Sequence, residues 1–343
     1  MKKWISLLLA AALVCALTAC AAKPVTTEIF AMDTYMALAA YGRGAQDALA
    51  DAARAINLLE SDISRTRKGS SLYTLNQSGS WRGSAEGTDC TAELLELALQ
   101  YSRETGGLFD ATIAPLVELW DITGDAPYVP AQEEIDALLP LVGAEHLRVS
   151  GNSAALDAGC AVDLGGIGKG YASDLVADIL AAHGVKSATV SLGGNVYVCG
   201  DRPDGKPWNV GIQDPQGDGC AAYVTLSEAF AVTSGGYQRF FTADDGTVYQ
   251  HILDPRTGAP AESDLLSVTV ILRNGAGREG TMADAYSTAL YVMGAEGAVD
   301  FYRAKGNFDM ILITADHRVL YTPLLIDHIT LAEESPYELQ LIH

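Results

Sequence analysis

Basic residues are scarce in this chain: 22 Lys and Arg stand against 43 Asp and Glu in 343 residues, a net charge of −21. So acidic a polypeptide repels phosphate backbones and anionic surfaces, which argues against nucleic acid as a partner. Any phosphorylated ligand would need local compensation from a metal, from glycine N–H groups or from a few basic side chains. No two of the six cysteines form a Cys-x-x-Cys pair, which argues against structural zinc and thioredoxin-like redox chemistry. Cys90, Cys160, Cys199 and Cys220 are expected mainly as buried free thiols. There is no internal repeat, coiled coil or low-complexity segment. Nor is there an apolar run of the roughly 20 residues that a spanning helix needs.

What the chain does have begins at its start. Lys2 and Lys3 precede an apolar run over residues 5–17, the layout of an export signal. Leu17-Thr18-Ala19-Cys20 follows and resembles a bacterial lipobox, in which cleavage leaves Cys20 acylated. Residues 1–19 are therefore expected to be a lipoprotein signal peptide and residues 20–27 a lipidated tether. The body would then sit on the extracytoplasmic face of the cell membrane. Loss of residues 1–19 removes two lysines and no acid, so the remainder carries −23.

Periodicity divides the rest. Residues 27–41 alternate as a strand. Residues 44–63 and 91–104 carry the 3.6-residue apolar period of helices, and 131–142 form a third. Short β-like runs punctuated by Gly, Pro, Asn and Asp follow at 187–192, 195–199, 208–213, 221–226, 229–233, 247–253 and 265–272. Helices over 169–183 and 279–293 end at Gly184 and Gly294. A strand pair lies near 308–314 and 318–322. Strands grouped with strands, and helices laid beside them, predict an α+β fold with mixed or antiparallel sheets.

Four segments carry chemistry. Asp163-Leu164-Gly165-Gly166-Ile167-Gly168-Lys169-Gly170 leads into a helix, where glycines admit a close ligand and the N-terminus favours anions. It lacks the spacing of a Walker loop, and alone it is equally a tight turn. Ser191-Leu192-Gly193-Gly194-Asn195 reads by itself as a hairpin turn. Thr233-Ser234-Gly235-Gly236-Tyr237 and Arg239 precede the dense polar loop His251-Ile252-Leu253-Asp254-Pro255-Arg256-Thr257-Gly258; a histidine taken singly is more often structural. In Thr281-Met282-Ala283-Asp284-Ala285-Tyr286-Ser287-Thr288, Asp284 and Thr288 stand i and i+4 on one helix face. A carboxylate and a hydroxyl so placed suit a hard cation, or simply the caps of a helix start.

Taken in order, these segments and Met32-Asp33-Thr34-Tyr35, residues 107–116 (Gly-Leu-Phe-Asp-Ala-Thr-Ile-Ala-Pro-Leu) and Gly211-Ile212-Gln213-Asp214-Pro215 resemble the ApbE family, the FAD:protein FMN transferases. The resemblance spans residues 28–322 and leaves 323–343 as a tail of unknown role. It implies a two-part, T-fold-like architecture with FAD in the cleft between the halves. It assigns FAD contacts to Met32, Tyr73, Phe109, Asp110, Ala111, Asp163, Lys169, His251, Ile252 and Thr257. Mg²⁺ would be held by Gly166, Asp284 and Thr288, with His251 and Asp284 as the catalytic pair. The implied reaction moves FMN from FAD to a threonine or serine hydroxyl of an acceptor flavoprotein, releasing AMP. The implied partners are membrane-attached redox subunits or FMN-acceptor domains. An FAD pyrophosphatase and a non-enzymatic FAD-binding lipoprotein are the alternatives, and the Asp284/Thr288 pair counts against the second. Asp33 stands where such Met-x-Thr-x-Tyr segments often have glycine, and Gly236 where Ser-Gly-x-Tyr often has a polar residue.

Overall fold

The computed structural model describes residues 23–84, 90–275 and 277–343; the expected signal peptide and lipidation site, Cys20, lie outside them. The expected single strand over 27–41 is a hairpin. Strands β1 (Val25–Ala31) and β2 (Thr34–Ala40) pair antiparallel from Val25↔Ala40 to Ala31↔Thr34. Met32 and Asp33 make the reversal, both left-handed with φ of 51° and 54°. Two-residue turns of this hand favour Asn-Gly, because glycine carries no Cβ into that region. A non-glycine residue there costs roughly 1–2 kcal/mol, somewhat less for Asp. Asp33→Gly is therefore expected to stabilise the protein by about 1 kcal/mol. Thermal melting checks this; an unchanged or lower Tm would remove the strain argument.

Helix α1 (Ala45–Ile63) follows, its inner stripe running Ala45, Ala48, Leu49, Ala52, Ile56, Leu59 and Ile63. The chain continues through α2 (Ser71–Ser78), β3 (Ser80–Arg82), α3 (Thr91–Glu104), α4 (Ala114–Trp120), α5 (Gln132–Leu138), β4 (Leu147–Val149) and β5 (Ser153–Leu156). Helix α6 (Gly168–Ala182) then leads into β6 (Ala188–Leu192), β7 (Asn195–Cys199), β8 (Trp208–Gln213), β9 (Cys220–Leu226) and β10 (Ala229–Gly235). Next come β11 (Phe240–Thr242), β12 (Val248–Gln250), β13 (Leu265–Arg273), α7 (Glu279–Lys305), β14 (Asp309–Thr314), β15 (Arg318–Tyr321), β16 (Ile329–Leu331) and β17 (Glu338–Leu341).

Nine strands form one sheet in the order β1-β2-β6-β7-β10-β13-β14-β15-β17, antiparallel except for the parallel β15–β17 pair. Helices α1, α6 and α7 cover one face, where Met36, Leu38, Tyr171, Tyr197, Phe230 and Tyr286 are buried. The small β16-β9-β8 sheet covers part of the other, enclosing Val198, Val224, Ile271, Ile311 and Ile313. A third cluster joins α4 and α5 through Leu116, Trp120, Ile135 and Leu253. The fold is α+β with mixed sheets, as expected.

Residues 323–343 are built into this body. Leu325, Ile329 and Tyr337 enter the second core, and Tyr337 donates to Asp214 Oδ1 at 2.7 Å. Helix α7 runs past Gly294, the expected stop, which instead kinks it with φ 73° and ψ 177°. All four cysteines described are free thiols. Burial pushes the Cys199 thiol up to about 11.

Candidate active site

A cavity of about 480 Å³ opens where the β1–β2 turn, the end of α1, the start of α6 and the first turns of α7 converge. Small-molecule sites run roughly 300–1,000 Å³. Its floor depends on a close approach of two helices. Gly170 in α6 lies so near α7 that a Cβ there would collide with the Gly280 carbonyl and sit 2.7 Å from Asp284 Cβ. The Gly170 N–H donates to Asp284 Oδ2 at 2.7 Å. One turn further along α6, buried Asp174 accepts from the Gly280 and Thr281 N–H groups, both at 2.8 Å. It thereby caps the N-terminus of α7, whose own flanking residue Arg278 offers no side-chain cap. Burial pushes the Asp174 carboxyl up to about 6, although these donors oppose it. Overpacking typically costs about 1–3 kcal/mol. Gly170→Ala is therefore expected to lower the melting midpoint and to displace Asp284. A variant melting like the parent would show that the helices have slack.

Asp284 is 2% exposed, and Oδ1 has no hydrogen bond among the described residues. Thr288 shares its face, and its Oγ1 lies 3.4 Å from Ser234 Oγ. Gly166 faces the same point, since a Cβ on it would stand 3.6 Å from Thr288 Oγ1. Carboxylate, hydroxyl and backbone carbonyl are hard oxygen donors, and a single carboxylate beside ligand phosphates is how Mg²⁺ is commonly held. Among the described residues, no cluster of three or more His, Cys, Asp and Glu could hold a metal.

His251 lies across the cavity. Its Nδ1 is 3.2 Å from the Arg239 carbonyl, which can only accept, so Nδ1 carries the proton and Nε2 keeps its lone pair. Burial pulls its pKa down to about 4, and the nearby Arg239 and Lys169 charges add to this. The imidazole is thus a neutral acceptor at physiological pH.

Three cations line the cavity, Arg65, Lys169 and Arg239, in an otherwise acidic protein. Arg65 Nε meets Asp163 Oδ2 at 2.8 Å, and the Gly165 N–H donates to Asp163 Oδ1 at 2.6 Å. Arg239 donates to the Asp33 carbonyl at 2.9 Å and so ties the β11 strand to the β1–β2 turn. Ile167 leaves the start of α6 without a side-chain cap, and its first-turn N–H groups bond within the chain, Gly168 to the Leu164 carbonyl and Gly170 to Asp284.

The expected residues Met32, Phe109, Asp110, Asp163, Gly166, Lys169, His251, Ile252, Asp284 and Thr288 all line this one cavity. Asp110 holds the loop as well. Its Oδ1 accepts from the Thr112 N–H and hydroxyl and its Oδ2 from Ser102, which pins residues 109–112. Three of the expected residues are not among those that line the cavity. Tyr73 does not line the cavity: it rides on α2, whose cap Ser70 accepts from the Tyr73 N–H, and residues 63–66 line the wall instead. Ala111 lies behind the wall, its carbonyl accepting from the Asp163 N–H at 2.8 Å. Thr257 also stands outside, in the turn where its Oγ1 accepts from the Ala259 N–H. Sequence reasoning missed Arg65, Ser234 and Arg239 as site residues. The only signal was basic and hydroxyl residues beside glycine clusters.

With this geometry in view, the chain can be compared with known proteins. The ApbE family model matches residues 32–312. The "FAD:protein FMN transferase" of Treponema pallidum (strain Nichols) is 35% identical over 254 residues, 69% of this chain and 68% of that protein. The Escherichia coli (strain K12) protein of the same name is 33% identical over 256 residues, 71% of this chain and 70% of its own length. Among solved structures, the ApbE protein of Thermotoga maritima superposes with a TM-score of 0.78 at 29% identity, covering 86% of this chain and 95% of that one. The flavin transferase ApbE from Vibrio cholerae gives 0.74 at 27% identity, covering 92% and 100%. The match covers most of the chain and includes every cavity segment from Met32 to Thr288: this chain belongs to the ApbE family.

Proposed function

We propose that this protein transfers the FMN moiety of FAD to a threonine or serine hydroxyl of an acceptor flavoprotein, releasing AMP. One observation carries the reading: a neutral imidazole acceptor, an oxygen donor set and three cations share a single cavity. The named activity of the relatives supports it.

The chain's own groups divide the work. Arg65, Lys169 and Arg239 offset the charge of the pyrophosphate, which an acidic protein otherwise repels. Met32 and Phe109 offer apolar contact to the flavin ring. His251 Nε2 accepts the proton of the incoming hydroxyl as its oxygen bonds to the FMN-side phosphorus. The bond from that phosphorus to the bridging oxygen breaks, and AMP departs with the electron pair. Gly166, Asp284 and Thr288 would hold Mg²⁺, which when bound supplies Lewis-acid stabilisation of the phosphoryl oxygens.

Its address belongs to the same reading. An acylated Cys20 would hold the body at the extracytoplasmic face of the cell membrane, beside membrane-attached redox proteins as acceptors. Confinement to one surface raises the encounter rate without a high-affinity interface.

The test is to mix the protein with FAD, Mg²⁺ and a flavin-acceptor domain, then weigh the acceptor. An FMN-sized mass gain is expected. Free FMN and AMP without that gain would point to the pyrophosphatase, and FAD left intact would point to a carrier.

A further inference from the structure

We propose that the acceptor protein docks on an apolar rim formed by two hairpins, β1–β2 and β11–β12, that flank the cavity mouth. The inference rests on the transferase reading above, since it needs a polypeptide substrate. Phe30 and Tyr35 face each other across the first hairpin and are 72% and 57% exposed. They stand directly beside the turn whose residues 32–34 line the cavity. Phe240 and Val248, 50% and 58% exposed, belong to the second hairpin. That hairpin is bracketed by Arg239 and His251, both cavity residues. On its other face Phe241 stacks on Tyr249, which in turn meets Trp120 at a tilt, so that face already has its partners.

The two hairpins form one unit, because Arg239 bonds the Asp33 carbonyl between them. Four of the large apolar side chains this protein leaves in water therefore border one opening. Apolar clusters of that kind, rare on an acidic soluble body, mark interaction surfaces. Flavin does not explain them: none of the four lines the cavity. The occupant that must reach this rim is the acceptor, whose hydroxyl has to enter the mouth. Aromatic residues dominate such interfaces, with large losses on truncation. The acceptor is accordingly a segment with apolar side chains flanking its target hydroxyl.

The test uses the full-length chain with FAD and an acceptor domain, varying the acceptor concentration. Phe30→Ala/Tyr35→Ala and Phe240→Ala/Val248→Ala are each expected to raise the acceptor KM about ten-fold. The kcat and the FAD affinity, read from flavin fluorescence quenching, should stay at parent values. Leu324→Ala/Ile326→Ala, which trims apolar side chains remote in sequence from every cavity residue, should leave KM unchanged. An unchanged KM in both hairpin variants, or an equal rise in the control, overturns the proposal. Because the pairs are made separately, a folding failure in one leaves the other decisive. Failure of the parent to form any adduct would sink the transferase reading instead.

Discussion

Asp284→Asn is expected to lower FMN transfer by about 10³-fold or more while leaving the melting temperature close to the parent's. The magnitude follows from removing one preorganised charge-stabilising group at a phosphoryl centre. Asparagine is the informative choice, because its side-chain oxygen can still accept the Gly170 N–H now bonded to Oδ2. It keeps that link between α6 and α7 and removes only the negative charge. Asp284→Ala would also abolish turnover, but it would orphan the Gly170 N–H and open space against α6, mixing chemistry with stability. A single carboxylate at 2% exposure is tolerable only if something offsets its charge, and the adjacent oxygens of Thr288 and Gly166 are not donors enough. Under the proposed reading, Mg²⁺ would complete the balance. The measurement is the rate of acceptor mass gain with Mg²⁺ titrated from zero. Full turnover in the Asn variant, or in the parent with the metal chelated, would sink the metal assignment.

The ease of reading Asp284 and Thr288 from sequence has a physical basis. Both sit on one helix, where i and i+4 must share a face whatever the rest of the chain does. The glycine-rich entry to α6 was legible in part, since its missing side chains suit a close approach as well as a tight turn; Gly170 against Gly280 is such an approach. Arg65 was not legible. Its partner Asp163 lies 98 positions away, and no local pattern links a loop arginine to that aspartate. The β1–β2 hairpin escaped notice because its turn, Met32-Asp33, lacks the Asn or Gly that normally announces one. Tyr73, expected from an aromatic near position 70, sits in the first turn of a short helix capped by Ser70 and is not among the cavity-lining residues. Residues 323–343 carried no periodicity strong enough to read, because β16 and β17 are three and four residues long and gain order only by joining existing sheets.

His251 is expected to set an acid limb in kcat/KM near pH 4 rather than near 6.5, the ordinary histidine value. Burial is the main cause, since charging a ring enclosed by protein forfeits hydration that the carbonyl of Arg239 cannot replace. The guanidinium of Arg239 and the ammonium of Lys169 push in the same direction. The limb in kcat, which reports the ligand-bound state, should lie higher, because the pyrophosphate anion then favours the imidazolium. His251→Asn should reduce transfer by about 10²–10⁴-fold and flatten the acid limb. The same shift has a consequence for folding. A histidine with a depressed native pKa contributes stability that is fully present above 6.5, where neither state is protonated. That stability is lost as pH falls through about 4, because the unfolded chain binds the proton first. The shift corresponds to roughly 3 kcal/mol across that window. Denaturant melts of parent and His251→Asn at pH 7 and pH 4.5 check it, with the parent losing more than the variant. Equal losses, together with a kcat/KM limb at 6.5, would place the ring in water; an unchanged rate in His251→Asn would remove it as the base.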